Sequence, residues 1–573
     1  MSRATATPAL GPRLGFDRSR WIRHAVALAA VVVVFGPILP ILYQAFRDRP
    51  LYDSGGRLTL ANLAKLLRRG EFLAALGNSL ELAALTTLIA GVVGVAAALA
   101  VGRTDMPGRR LIGEILLWPL YISHLVLAFA FNIMYGPSGF VTMFANTALG
   151  GAPWDLYTVP GMAVVAGISQ APLTLLYCLS STSIADPALE DAARISGAGP
   201  LRTLRSISLP LLRPAIVYSA VLNFTIALEL LAIPIVFGSP TGLEFLTTFL
   251  YDQGISAATP DYGLVGSAAL LLLLIVTGLV WLQGRLLGNA GRFVTLGGKA
   301  ARPRLFPLGR LRWPVFALFL AYVVMAVLVP LAGLVLRALT SFLSPLVPFW
   351  EVLTTAHFEM IAAYPANLRS IWNTVLISAL GGAFATGFVA LIALVAHRSE
   401  YRFARALEFV ALYPRAVPGL VAGIGFLWAM LLFRPLGWLH NTIWILVVAY
   451  TMRYVPTGFG AVAPMLLQIG RDLDRSARTA GADWWTTCRA VLIPLLKPAL
   501  FSAFAVLFIQ FFKEYAVAVF LYAPGSEVIG TTLLSYWIQG DAGPVAALST
   551  VQVLLTFGFV YAVRRLAGVR VYG

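Results

Sequence analysis

Long runs of apolar residues alternate with short polar or charged stretches along almost the whole chain. A run of about 20 apolar residues is long enough to cross a bilayer as an α-helix. The pattern predicts twelve spans, in two sets of six: 24–46, 76–102, 111–135, 160–183, 212–238, 262–287, 313–340, 371–397, 406–433, 441–467, 498–523 and 543–566. We therefore expect an all-α membrane protein of about twelve transmembrane helices.

One polar segment between spans occurs twice, once in each half of the chain. Its Gly-to-Pro spacing is 13 residues in both copies, from Gly197 to Pro210 and from Gly481 to Pro494. Each copy then continues into a Leu-Leu-basic-Pro-Ala run at 211–215 or 495–499. A generic polar loop would not need the same spacing at the same place in two halves, so the pattern favours a docking surface for a partner protein.

The repeat sets the domain organisation. Each half has six spans, with the polar segment between its fourth and fifth span, so the two halves share one topology. We expect two parallel six-helix repeats related by a pseudo-two-fold axis along the membrane normal. The predicted domains are 1–287 and 313–573, joined by a basic cytoplasmic linker at 288–312. Asn78 and Asn373 begin matching spans and are expected to brace helix contacts. The first half is about 11 residues longer than the second, and we place the extra residues in 136–160.

Composition and charge agree with a membrane protein. The chain is 59% hydrophobic and only 12% charged, whereas soluble domains carry about 25% charged residues. The net charge of +17 could indicate nucleic-acid binding, but its distribution favours topology. With the N-terminus inside, the inside segments hold 30 Lys and Arg residues and the outside segments 8. This asymmetry predicts cytoplasmic N- and C-termini, contact with membrane lipid and no nucleic-acid partner.

The polar segments have the composition of short docking helices. Acidic residues stand near each start, which suits the helix dipole, and small residues follow, so that another protein can approach closely. The residues singled out are Glu190, Ala192, Ala193 and Gly197 in the first copy, and Asp474, Ala477 and Gly481 in the second.

These segments resemble the signature loop of permease subunits of binding-protein-dependent ABC importers, whose pattern is Glu-Ala-Ala, three residues, Gly and a later Ile-x-Leu-Pro. The first copy reads Glu190-Asp191-Ala192-Ala193 with Gly197, and the second departs from the pattern with Asp474-Arg475-Ser476-Ala477. The resemblance implies a bacterial inner-membrane permease with the type I importer fold. It also implies that two copies of a separate ATPase dock on these coupling helices, that ATP is bound there and not on this chain, and that a periplasmic solute-binding protein delivers the solute.

Two permease domains fused in one chain are similar to ferric-iron importer permeases in particular. The segments that carry this likeness are 413–420, 512–515 and 292–299. Thiamine permeases are also fused, and polyamine and aminoalkylphosphonate permeases share similar motifs. The resemblance therefore implies ferric iron as the solute, with those three classes as alternatives.

Charged residues inside the spans are candidates for the translocation path, because a carboxylate within the membrane marks a functional site by default. Glu229 and Glu514 follow Pro210 and Pro494 by 19 and 20 residues, in the fifth span of each half. Facing each other, they would attract a cation such as Fe³⁺ or a protonated amine. Alternatively, Glu514 pairs with Lys513 or Arg453, and Glu229 is structural.

Two further polar residues lie in the third and ninth spans. Arg415, between Pro414 and Pro418, is a candidate for the path that could bind an anion or satisfy backbone carbonyls freed by the prolines. His124 could be a ligand, although a lone His is more often a structural residue.

Several motifs are absent from the sequence. No phosphate-binding G-x-x-x-x-G-K-[ST] run occurs, so we expect no ATP hydrolysis, no catalytic residue and no bound cofactor. Two cysteines without His or Asp clusters predict no metal site. The competing hypothesis is a secondary transporter in which the two carboxylates bind the coupling ion. It explains the acidic residues but not the duplicated polar segment.

Overall fold

The computed structural model describes residues 18–53, 55–184, 192–193, 195–257, 259–287 and 305–567. In the first half the α-helices are Arg18–Phe35, Ile38–Ala45, Ala61–Arg68, Gly70–Arg103, Arg109–Leu116, His124–Tyr135, Phe140–Leu149, Val159–Ile184, Pro200–Thr203, Leu209–Leu228, Leu246–Tyr251 and Tyr262–Leu287. Short 3₁₀ or π turns occupy Trp118–Tyr121, Leu204–Ser208, Pro234–Gly238, Ser239–Thr241 and Asp252–Ser256.

The second half repeats this order. Its α-helices are Arg312–Val323, Val329–Ala338, Ala356–Ala363, Pro365–Leu376, Gly382–Arg398, Ala404–Leu412, Gly419–Leu432, Ile443–Gln468, Arg471–Thr479, Trp484–Thr487, Ile493–Phe512, Ala518–Leu521, Ile529–Ile538 and Ala542–Ala567. Its 3₁₀ or π turns are Gly309–Leu311, Val324–Leu328, Phe349–Glu351, Ile377–Gly381, Tyr413–Ala416, Arg434–Leu439 and Cys488–Leu492.

The number of spans agrees with the sequence pattern. Within the described residues, eleven helices are long and apolar enough to cross a membrane. A twelfth results if Ala404–Ala416 and Gly419–Leu432, which are bent by 111° relative to each other, count as one span. The expectation of an all-α protein with about twelve spans in two repeats is confirmed.

Five predicted spans, the first, third, fifth, ninth and eleventh, are interrupted helices; the first breaks between Phe35 and Ile38. In the third and ninth spans the helix stops at Trp118–Tyr121 and Tyr413–Ala416, where Pro119 and Pro414 cannot donate the next backbone hydrogen bond. In the fifth and eleventh spans it stops after Leu228 and Phe512. The segment 136–160, in which the excess length of the first half is placed, contains the Phe140–Leu149 helix.

Matching hydrogen bonds in the two halves demonstrate the repeat. Asn78 donates from its side chain to the carbonyl of Glu244 at 2.9 Å, and Asn373 does so to the carbonyl of Glu527 at 2.9 Å. One residue later, Ser79 and Thr374 accept backbone N–H groups at 2.8 and 2.9 Å. The expectation that these asparagines brace helix contacts is confirmed.

The predicted place of the extra residues also agrees with the structure. His124 and Gly419 begin matching helices at an offset of 295, whereas Val159 and Ile443 begin the next matching helices at an offset of 284. The 11-residue difference therefore falls between residues 124 and 159. The linker lies largely outside the described residues, since 288–304 are not described, and the domain boundaries stay predictions.

Candidate functional site

A central cavity of about 580 Å³ lies between the two halves. The fourth span of the first half lines it from Ser169 to Tyr177, and the tenth span of the second half lines it from Arg453 to Gly460. Both stretches run towards the helix ends that lead into the polar segments. The cavity therefore extends along these two spans in the direction of the polar segments.

The opposite end of the cavity, which we call the floor, is formed by the broken fifth and eleventh spans. Glu229 follows the last residue of the Leu209–Leu228 helix, and Glu514 follows the Ile493–Phe512 helix by two residues. Beyond them the chain is closely packed, with Leu231 and Val517 both 0% exposed. The floor is closed in this conformation.

Glu229, Arg453 and Glu514 form a cluster at the floor, which we call the ionic triad. Arg453 Nη1 lies 3.3 Å from Glu229 Oε2, and Arg453 Nε lies 3.2 Å from Glu514 Oε2. Tyr454 donates its hydroxyl to Glu514. The triad side chains are 4–17% exposed. Removing one partner of a buried ion pair is destabilising, because it leaves the other charge uncompensated.

The triad corrects the expectation of two carboxylates open to a cation. The sequence placed Glu229 and Glu514 at matched depth, and the structure brings them together. A single guanidinium lies between them, however, and occupies the position that a cation would take. For Glu514 the alternative of an ion pair with Arg453 is the arrangement observed. For Glu229 the partner is the same arginine, 224 residues away in sequence.

The backbone groups left without helical partners at the floor are satisfied by side chains, mostly across the two halves. Gly419 donates its backbone N–H to Glu229 at 3.1 Å, and Ala232 donates its N–H to the Tyr515 hydroxyl at 2.8 Å. Lys513 Nζ donates to the carbonyl of Leu120 at 2.8 Å. Broken helices are tolerated at membrane depth when their free backbone groups are bonded in this way.

Arg415 and His124 also line the cavity. Arg415 is exposed, and its Nη1 lies 3.4 Å from the Tyr218 hydroxyl. His124 begins the half-helix that follows the Trp118–Tyr121 turn. The structure therefore brings Arg415 to the same cavity as the two carboxylates.

Sequence reasoning gave too little weight to three residues at this site. Arg453 was considered only as a local partner of Glu514. Gln170 and Tyr454 were not singled out, although the offset of 284 that relates the two polar segments also relates these two positions. A search for polar residues at matched positions of the fourth and tenth spans would have found both.

The two polar segments end with the same backbone geometry. Gly197 and Gly481 have φ angles of +81° and +88°. The residue after each glycine donates its N–H five residues back, Ala198 to Ala193 at 2.9 Å and Ala482 to Ala477 at 3.0 Å. This is a Schellman end, which favours glycine because of the positive φ.

The described residues of the two polar segments are largely uncovered by the rest of the chain. In the second copy, no residue of the Arg471–Thr479 helix is buried, and Asp474 contacts Arg398 at 3.1 Å. In the first copy, Ala192 is exposed, and Ile195 is 88% exposed. The predicted residue Glu190 lies outside the described residues.

Comparison with known proteins gives one family and several relatives. A family profile described as "Binding-protein-dependent transport system inner membrane component" matches residues 90–290 and 387–567, once in each half. The putative ferric transport system permease protein FbpB 1 of Haemophilus influenzae is 26% identical over 540 residues, which cover 92% of this chain and 82% of that protein.

Two further relatives differ in coverage. The ferric transport system permease protein FbpB of Actinobacillus pleuropneumoniae is 24% identical over 94% of this chain and 76% of its own length. The putative 2-aminoethylphosphonate transport system permease protein PhnV of Salmonella paratyphi A is 28% identical over 38% of this chain and 83% of its own length.

Proposed function

Because this chain belongs to the family of binding-protein-dependent transport system inner membrane components, we propose that it carries a small solute from a periplasmic binding protein into the cytoplasm. It is the permease subunit of an ABC importer and sits in the bacterial inner membrane with both termini in the cytoplasm. The single observation that carries this proposal is the cavity between two repeats, closed at one end and extending towards two identically built polar segments.

ATP is hydrolysed on a separate subunit, of which two copies dock under the polar segments. The docking residues are Ala192, Ala193 and Gly197 with Glu190 in the first copy, and Asp474, Ala477 and Gly481 in the second. When the ATPase pair closes on ATP, it brings the two segments together and opens the floor to the periplasmic side. Glu229, Glu514 and Arg415 line the path and contact the solute only transiently, since a tight site would prevent release.

The solute we propose is ferric iron, supported by relatives named as ferric permeases that align with more than nine-tenths of the chain. A second candidate is an aminoalkylphosphonate. It is favoured by the relative named for 2-aminoethylphosphonate and by the cationic side chains Arg415 and Lys513 in the cavity.

The experiment is purification of the tagged chain from its native membrane, with mass spectrometry of the proteins that accompany it. We expect an ATPase subunit at two copies per chain. An Ile195→Asp variant replaces an exposed apolar side chain of the first polar segment with a charged one and should release the ATPase. Ile255→Asp, at a residue 41% exposed outside the polar segments, is the control and should retain it.

The opposite result identifies the competing class. A chain that purifies alone and moves solute into vesicles with an ion gradient and no ATP would be a secondary transporter. If the ATPase copurifies, uptake of radiolabelled ferric citrate and of 2-aminoethylphosphonate into vesicles with the reconstituted ATPase and the binding protein decides between the two solutes.

A further inference from the structure

The charges in the central cavity do not balance. Three cationic side chains line it, Arg415, Arg453 and Lys513, against the two carboxylates of Glu229 and Glu514. Arg453 is the residue that pairs with both carboxylates. Among the described residues, no carboxylate oxygen lies within 4.0 Å of Arg415 or Lys513. Arg415 and Lys513 therefore face the cavity without a salt bridge among the described residues, and the lining holds one cation more than it holds carboxylates, although charge at membrane depth is usually paired.

Gln170 supplies a second, independent observation. It lines the same cavity and is 3% exposed. Neither Nε2 nor Oε1 of its carboxamide has a hydrogen-bond partner among the described residues. In the second half the matched position is Tyr454, whose hydroxyl bonds Glu514. A buried carboxamide with both polar atoms unpaired is costly, and such a group in a native site calls for a ligand or water that completes it.

We propose that the central cavity binds an oxyanion, a phosphate, phosphonate or carboxylate group, which Arg415, Lys513 and Gln170 recognise. This inference rests on the proposed transport function and adds the chemical class of its ligand. A guanidinium offers paired N–H donors that match two oxygens of such a group. Lys513 supplies a compact charge near the floor, and the Gln170 carboxamide supplies N–H donors that are otherwise unused.

Two sources could present that oxyanion. One is a free solute that carries it, and the other is an oxyanion that ligates Fe³⁺. The cationic side chains facing the cavity would repel bare Fe³⁺ and would accept it inside an anionic complex. Both sources present the same oxyanion chemistry to the three side chains. Comparing the binding of citrate with that of ferric citrate distinguishes the two sources.

The test is equilibrium dialysis of the full chain in lipid nanodiscs, without the ATPase, at constant ionic strength set with chloride. The probes are radiolabelled inorganic phosphate, citrate and ferric citrate. We expect weak, saturable binding that falls about tenfold or more in Arg415→Gln and about threefold in Gln170→Leu. Arg405→Gln removes an exposed arginine outside the cavity and should bind as the unaltered chain does.

Gln170→Leu also separates a ligand-binding role from a structural one. If the carboxamide serves a ligand, its replacement should weaken anion binding and raise the thermal stability of the empty chain, since an unpaired buried polar group is removed. A fall in stability with unchanged binding would overturn the proposal.

The remaining outcomes are assigned as follows. Binding of phosphate, or of citrate without iron, supports a free oxyanion. Binding of ferric citrate but not of the other two probes supports an oxyanion that ligates Fe³⁺. Absence of saturable binding for all three probes, or equal binding by the Arg415 and Arg405 variants, would overturn the inference. Anion binding is measured without the ATPase, so it does not depend on ATPase docking. A chain that copurifies with its ATPase but binds no anion would overturn this inference and leave the proposed importer function standing.

Discussion

Arg398, at the end of the eighth span, forms a salt bridge with Asp474 in the second polar segment, 3.1 Å from Nη1 to Oδ2. Arg398 also donates from Nη2 to the carbonyls of Leu466 and Ile469, where the tenth span ends. In the first half, Arg103 occupies the matching place and donates to the carbonyl of Thr182 at 3.1 Å. A buried arginine thus bonds the end of the fourth and of the tenth span, and in the second half it also binds the polar segment.

The first prediction concerns this contact. Asp474→Asn should lower the free energy of unfolding by about 1–3 kcal/mol, because the Arg398 side chain is 2% exposed and loses its carboxylate. Import per ATP hydrolysed should fall as well, since the segment is no longer held to both spans. Thermal unfolding and a transport assay with the reconstituted ATPase measure the two effects.

The matched control for that change is Asp472→Asn. Its side chain is 90% exposed and its partner Arg475 is 78% exposed, so the change should cost less than about 0.5 kcal/mol. Equal losses in the two variants would show that the salt bridge to Arg398 has no special role.

The second prediction is a pH dependence. A hydrogen bond from the Ser19 hydroxyl at 2.6 Å, together with one from the Thr486 backbone N–H at 2.9 Å, lowers the pKa of Asp483. A lowered pKa in the folded state gives stability that is complete above the unfolded value of about 4 and is lost as the pH falls through the folded value. The thermal midpoint should therefore drop on acidification below about pH 4.

Variants identify the group responsible. Ser19→Ala should reduce the acid dependence, because the largest cause of the lowered pKa is removed. Asp483→Asn should remove it, and Asp472→Asn should leave it. An acid limb of unchanged slope in Asp483→Asn would contradict the assignment.

The third prediction concerns the floor. Tyr515→Phe removes the acceptor for the backbone N–H of Ala232, a residue 0% exposed. An unpaired buried N–H costs about 1–3 kcal/mol, and this bond joins the two halves. The thermal midpoint should fall, whereas Tyr522→Phe, at a residue 41% exposed, should leave it unchanged. The idea fails if both variants melt alike.

The fourth prediction concerns transport through the ionic triad. Glu229→Gln leaves Arg453 with one carboxylate in place of two, so the charge at the floor changes by one unit. We expect import to fall at least about tenfold, which corresponds to about 1.4 kcal/mol, with normal insertion in the membrane. Glu351→Gln, at an exposed residue of the Phe349–Glu351 turn, is the control. Uptake at the normal rate by Glu229→Gln would exclude the triad from the path.

The fifth prediction concerns the end of the second polar segment. Gly481→Ala places a side chain at a φ of +88°, which costs about 1–2 kcal/mol even though no atom lies within 4 Å of the added Cβ. Gly481→Asn should cost less, because asparagine tolerates this conformation better. Gly470→Ala has the same open space with a φ of −59° and should be tolerated. Thermal unfolding measures the loss of stability at the turn, and ATPase copurification measures the loss of docking on the polar segment.

Much of this architecture could be predicted from sequence because its causes are local. Apolar length fixes a span, and the distribution of arginine and lysine predicts its direction. The repeated glycine of the polar segments is required by a backbone turn, so the matched positions of Gly197 and Gly481 in the sequence reflect two turns of the same geometry. The paired acidic residues were found in the same way, from their spacing to Pro210 and Pro494.

The helix breaks were harder to predict because apolar composition does not distinguish a continuous helix from an interrupted one. Pro119 and Pro414 gave a local signal for two of the breaks. The break at Glu514 has no proline within it and depends on distant side chains, since Gln552 bonds the carbonyl of Phe512 at 3.1 Å.

The sequence by itself thus determined the spans, the repeat and the polar segments. Only the tertiary structure decided that Arg453 lies between Glu229 and Glu514 and that the cations of the cavity all come from the second half. It also decided that Gln170 has no hydrogen-bond partner within the described part of the chain, whereas Tyr454 at the matched position is bonded. The physical reason is that the stability of a charge in a membrane depends on which partner lies within about 4 Å, and that partner is set by packing between residues far apart in the chain.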